Sequence, residues 1–213
     1  MITKARFQEL EQVLRQAGYG PSIEWSERIE PPADADDFAC RVIYVICNSG
    51  MRVTIGAVIA EKCVSALKSG RAATEVFGHP GKAAAIDVIW ARREALFEGY
   101  RRASVKLDFL AELPWIGKIT KLHVAKNLGA SAAKPDVHLL RLANAENTTP
   151  ARLCRRLAKL TKYRVQTVDT ILWRACADGV LDSRKYELEG WDAAFRGPGA
   201  KALSLTAQEQ SGS

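Results

Sequence analysis

The chain has 213 residues, of which 47% are hydrophobic and 26% charged, and it carries a net charge of +7. That length suffices for one domain or two small lobes with a sizeable core, and the balance is ordinary for a globular protein. No apolar run approaches a membrane span, and five scattered cysteines without a CxxC pair argue against a disulfide framework, a zinc site or an iron–sulfur loop.

In chain order, Phe7, Leu10, Val13, Leu14 and Ala17 recur at helical spacing, and Gly18 and Gly20 end that helix. This N-terminal segment is amphipathic and lacks the apolar core of a secretory leader, so the expected compartment is the cytoplasm, with no membrane partner. Residues 21–36, "PSIEWSERIEPPADAD", are rich in proline and acid and read as a connector. Helical patterns follow at about 36–47, 51–69, 81–101 and 104–112, with the turn-rich "GRAATEVFGHPG" between the second and third. "RVIYVIC" is β-branched, but its flanks favour a buried helix over a strand. A further helix is predicted over 118–128. Pro135 opens "PDVHLLRLANAE", Thr149 with Pro150 opens "ARLCRRLAKLTK", and "VQTVDTILWRACAD" ends before Gly179. From about residue 196 the chain is rich in Gly, Ala and Ser and is expected to fray. The predicted class is all-α, with about ten helices. Cys40, Cys47, Cys63, Cys154 and Cys176 read as small apolar residues, mostly buried, and Trp90 and Trp173 as core.

Charge is unevenly spread. From Arg101 to Arg174 there are fifteen Lys/Arg against five Asp/Glu, a net of +10, which leaves −3 for the remainder. Such asymmetry suits a polyanion bound by one part of the fold, and equally a solvated helical surface. Within the basic stretch lies "LPWIGKITKLHVAKNLG", a tight turn with Pro114, Trp115 and Gly117 followed by a helix. A helix N-terminus exposes unpaired N–H groups and a positive dipole end, and a glycine lets a phosphate come close to the backbone. Lys118, Lys121 and Lys126 add charge nearby. The same features suit an ordinary αα-corner.

Nineteen residues after Gly117 stands Asp136, in "KPDVHLLRLA". This arrangement resembles the helix-hairpin-helix (HhH-GPD) DNA glycosylase superfamily, which carries an LPGxG hairpin, a helix, and then a catalytic aspartate in a D-x-H-x-x-R setting. Here Leu113, Pro114, Ile116 and Gly117 match the hairpin, and Asp136, His138 and Arg141 match the second motif. "GKAAAIDVIW" resembles the family helix that begins with a Lys-Ala pair. "FACRVIYVICNSGMRVTIGAVI" resembles the region that supplies a polar wedge into the DNA stack, with Asn48 the nearest match. Two departures stand out. Trp115 takes the place of the first hairpin glycine, and Ile119 takes the place of the Schiff-base lysine found in bifunctional members. Isoleucine cannot attack the sugar carbon, so the resemblance implies a monofunctional enzyme that uses water.

The resemblance further implies two helical lobes with an active-site cleft between them. Residues 37–129 would form the lobe ending in the hairpin, 1–36 with 130–200 the second lobe, and 201–213 a disordered tail. Asp136 would be the catalytic carboxylate, and capping of the following helix is compatible with that role. Leu113, Pro114, Trp115, Ile116, Gly117, Lys118, Thr120, Lys121, Asn48, His138 and Arg141 would contact DNA, and Tyr44 and Cys47 would line the base pocket. Arg174 suits either a phosphate or an acid such as Asp169. The implied partner is double-stranded DNA, bound by a monomer, without a cofactor or metal apart from a monovalent cation at the hairpin. Expected functions are excision of a damaged or modified base in repair, or of bulky modified bases in phage defence. A phage-type enzyme that modifies thymine on the same scaffold and a non-catalytic DNA-binding module are the alternatives.

Overall fold

The computed structural model describes residues 1–197. The expected tail over 201–213 lies outside the described residues. Among those residues every regular element is helical, and the one β-like contact is an isolated antiparallel bridge between Leu181 and Phe195. The α-helices in chain order are α1 (Lys4–Leu14), α2 (Gly20–Arg28), α3 (Ala35–Asn48), α4 (Val53–Lys68), α5 (Pro80–Ala91), α6 (Arg93–Arg102) and α7 (Lys106–Ala111). They continue with α8 (Thr120–Asn127), α9 (Val137–Ala145), α10 (Pro150–Thr161), α11 (Val165–Ala177), α12 (Ser183–Glu189) and α13 (Trp191–Ala194). The fold is all-α. The chain divides into two compact units, one formed by Met1–Arg28 with the chain from Ser131 onward, the other by Ile29–Ala130.

In the first unit, Thr3 caps α1 by accepting a hydrogen bond from the Arg6 amide. Gly18, at φ 87°, breaks the helix inside a π-turn over Arg15–Tyr19, and α2 starts at once. The expected connector is therefore helical over its first half. Pro21 sits within the first turn, where its missing N–H costs nothing. The Glu27 carboxylate accepts from the Arg164 amide at 3.0 Å and the Thr167 hydroxyl at 2.6 Å, which fixes α2 against the start of α11. The core joins Phe7, Leu10, Leu14 and Ile23 to Leu139, Leu142, Leu153, Leu157, Val168, Ile171 and Leu172. At its margin the buried Glu146 carboxylate gathers the Ile2 amide, the Arg156 guanidinium and the Tyr186 hydroxyl. Burial and the hydrogen bond to Glu146 push the Tyr186 phenol above its ordinary range.

In the second unit, α3 is the central helix. Asp34 caps it, Asp36 and Asp37 sit at its positive end, and Phe38, Val42, Ile43, Val45 and Ile46 are buried. "RVIYVIC" is thus helical as expected. Arg41 grips Asp37 through two nitrogens at 2.7 Å and also donates to the carbonyls of Glu30 and Asn127. Two lysines cap helix C-termini. Lys82, buried in the first turn of α5, donates to Ser49 O at 2.5 Å and Cys47 O at 3.5 Å beyond α3, and burial lowers its pKa. Lys106 donates to the carbonyls of Tyr100, Arg101 and Ala103 at the end of α6. The single helix expected over 81–101 is broken at Arg92, whose φ of −104° and ψ of 10° leave the helical region. The Arg93 guanidinium lies over the Trp90 ring, donates to Trp90 O at 3.0 Å and pairs with Asp36, which satisfies the end of α5.

Candidate nucleic-acid interface and catalytic carboxylate

The hairpin belongs to the second unit. Leu113 and Ile116 are buried and anchor the turn, and the Ile116 amide donates to Leu113 O at 3.0 Å to close it. Helix α8 begins at Thr120, two residues later than predicted, so Lys118 and Ile119 belong to the turn. The first helical bonds run from the Lys121 amide to Gly117 O and from the Leu122 amide to Ile119 O. The amides of Gly117, Lys118, Ile119 and Thr120 donate to no acceptor among the described residues. Gly117, Lys118 and Ile119 are exposed, so N–H groups without an internal acceptor gather at one helix start, the condition under which an anion can bind. Lys118 is exposed and makes no ion pair among the described residues, whereas Lys121 lies 3.7 Å from Asp108. The carbonyls of Pro114, Trp115 and Ile116 accept no hydrogen bond among the described residues.

Trp115 has φ 66°. The left-handed backbone of this hairpin thus falls on the residue that replaces the motif's first glycine. Gly117 has no left-handed φ, and a Cβ built there would meet nothing within 4 Å. No internal contact demands a glycine at 117; its lack of a side chain keeps the outer face of the turn open. The indole of Trp115 lies on α5, where a Cβ at Gly81 would come within 2.7 Å of the ring. The imidazole of His79 meets it edge-on at 5.2 Å and 79°. Trp115 nevertheless remains 46% exposed, and His79 is exposed beside it.

Asp136 belongs to the first unit and is the N-cap of α9. Its Oδ1 accepts from the amides of His138 and Leu139, both at 3.0 Å, and its own amide donates to Lys134 O. Oδ2 accepts no hydrogen bond among the described residues, and the side chain is half-buried. One oxygen thus fixes the carboxylate while the other is not used by the cap. The Lys134 amide donates to Oδ1 of the buried Asp169 on α11, which holds the loop leading to Asp136. His138 Nδ1 is 2.9 Å from the buried Ser183 hydroxyl, and Arg141 is half-buried with no hydrogen bond or ion pair among the described residues. The nearby Cys176 thiol is pushed up by burial and by the charges of Asp136 and Asp182 against that of Arg141, so it stays protonated and unreactive.

No family model, curated protein or solved structure matches the chain. Its chemistry rests on the residues themselves.

Several sequence-derived site residues are occupied elsewhere. Asn48 turns inward: its amide nitrogen donates to Tyr44 O at 2.8 Å, and its Oδ1 is buried against Gly56 of α4. A side chain folded onto its own helix is not presented as a wedge. Cys47 is fully buried, and its hydrogen bond to Cys63, with burial, holds its thiol well above the ordinary value. Tyr44, one turn earlier, is half-buried. Arg174 lies between the rings of Tyr19 and Trp173 and 3.9 Å from Asp178, so its charge is taken up within the fold rather than offered to a phosphate. Asp169, one of the acids weighed as a partner for Arg174, accepts from the Lys134 amide. Sequence reasoning missed His79 and Gly81, whose "GHPG" setting reads only as a turn, and Ser183, which stands forty-five residues from its partner His138.

Proposed function

We propose that the protein is a monofunctional DNA glycosylase on a helix-hairpin-helix scaffold, hydrolysing the N-glycosidic bond of a flipped damaged or modified base. The observation that carries this reading is the left-handed φ of Trp115: the turn keeps the conformation for which the motif uses glycine, although the residue has changed. The amides of Gly117 to Thr120, which have no acceptor among the described residues, bind a backbone phosphate with Lys118 without reading sequence. As the C1′–N bond breaks, its electron pair leaves with the base and positive charge builds on the deoxyribose. The Asp136 carboxylate, oriented by two amides at Oδ1, stabilises that charge. Its Oδ2 takes a proton from the water whose oxygen bonds to C1′, leaving an abasic site. Ile119 occupies the position of the Schiff-base lysine and has no nucleophile, which supports a hydrolytic route.

The test is incubation with duplexes and phage DNAs carrying different modified bases, followed by alkali. Released base with alkali-labile strands supports excision. A changed base mass in intact strands identifies a modifying enzyme, and binding alone identifies a non-catalytic module. A complex trapped by borohydride contradicts the hydrolytic route.

A further inference from the structure

We propose that Trp115 is a stacking platform for an unpaired nucleobase, so that the hairpin prefers single-stranded or locally opened DNA over a closed duplex. The inference builds on the phosphate-binding part of the function proposed above and needs no catalysis.

Three observations lead there. First, the indole is large, apolar and 46% exposed, yet it is held in place. Gly81 leaves space beneath it, and the His79 imidazole meets it edge-on at 5.2 Å. An aromatic held with a free surface loses little freedom when a ring stacks on it. Second, the neighbouring surface is built for an anion. Two residues along the chain begin the amides of Gly117 to Thr120, which have no acceptor among the described residues, and Lys118 is exposed with no ion pair among them. Third, the pairing of these two features matches a nucleotide. A π-surface next to an anion-binding turn suits one base and its adjoining phosphate, the combination used on single strands. In a closed duplex the bases are stacked on one another and offer no face to an indole. The occupant is therefore an unpaired nucleotide, as in a single strand or a locally opened duplex. A protein segment carrying an aromatic and an acid is the competing occupant, favoured if binding of labelled DNA does not depend on Trp115.

The experiment measures fluorescence anisotropy of a labelled oligothymidylate and of a labelled duplex of equal length with wild type, Trp115→Gly and Trp115→Phe. Glycine suits the left-handed backbone, so the turn and its amides persist while the platform is lost. Loss of one stacked base weakens single-strand binding by about tenfold. Trp115→Gly is expected to lower the preference for single strand over duplex by that factor, and Trp115→Phe to recover part of it. Thermal unfolding of each variant checks that the fold is kept. Equal losses on single strand and duplex, or single-strand binding by Trp115→Gly equal to wild type, would overturn the proposal. Stacking that depends on Trp115 without any base excision would uphold it and reject the glycosylase reading alone.

Discussion

Trp115 holds a backbone conformation that costs a non-glycine residue roughly 1–3 kcal/mol, and its ring needs the bare Cα of Gly81. The two positions should therefore be energetically coupled. Gly81→Ala places a Cβ within 2.7 Å of the indole and is expected to cost about 1–3 kcal/mol in urea unfolding. In a Trp115→Gly background the same change should be nearly neutral, and an equal cost in both backgrounds would refute the contact. At this scale the sequence is informative wherever the cause is local. Thr3, Asp34, Asp136 and Thr149 each cap the helix that begins next to them, and each capping bond spans two or three residues. Asn48 is different. It is the polar residue nearest the wedge position, but Gly56, eight residues on, leaves the space into which its side chain turns. That space belongs to the packing of α3 on α4 and has no signature at position 48 itself.

At the scale of elements, helices with a clear apolar stripe were legible and their joints were not. The connector that proves helical as α2 is rich in proline and acid, but its Glu27 carboxylate has a partner 137 residues away. The break at Arg92 follows from Arg93 turning back over Trp90, a tertiary choice inside a continuous helical pattern. Glu146 is a similar long-range clasp, joining Ile2, Arg156 at the 2.6 Å contact, and Tyr186 from α12. Its side chain is only 4% exposed. Glu146→Ala leaves those donors buried without their acceptor and is expected to cost about 3 kcal/mol, read from urea midpoints at constant m. A loss below about 1 kcal/mol, the size of an exposed ion pair, would contradict the clasp.

For the molecule as a whole, the excess of positive charge between Arg101 and Arg174 was plain in the sequence, but which cations are free was not. Arg156, Arg174 and Lys106 are taken up by Glu146, by aromatic rings with Asp178, and by helix carbonyls. Lys118 is left exposed at the hairpin, while Lys121 shares its charge with Asp108. Lys118→Ala should therefore lower the salt slope of duplex binding by about one counterion, and Lys121→Ala by less. The reverse order would argue that the hairpin is not the phosphate site. Asp136 was legible as a cap, and because a carboxylate has two oxygens of which the cap uses only one, capping is compatible with the catalytic role proposed for it. The most direct test of the account is single-turnover formation of abasic sites in a modified-base duplex by wild type and Asp136→Asn. Asparagine still caps α9, so the fold and duplex affinity should hold while the rate falls about a thousandfold. A variant that excises at close to the wild-type rate would contradict the assignment of Asp136 as the catalytic group.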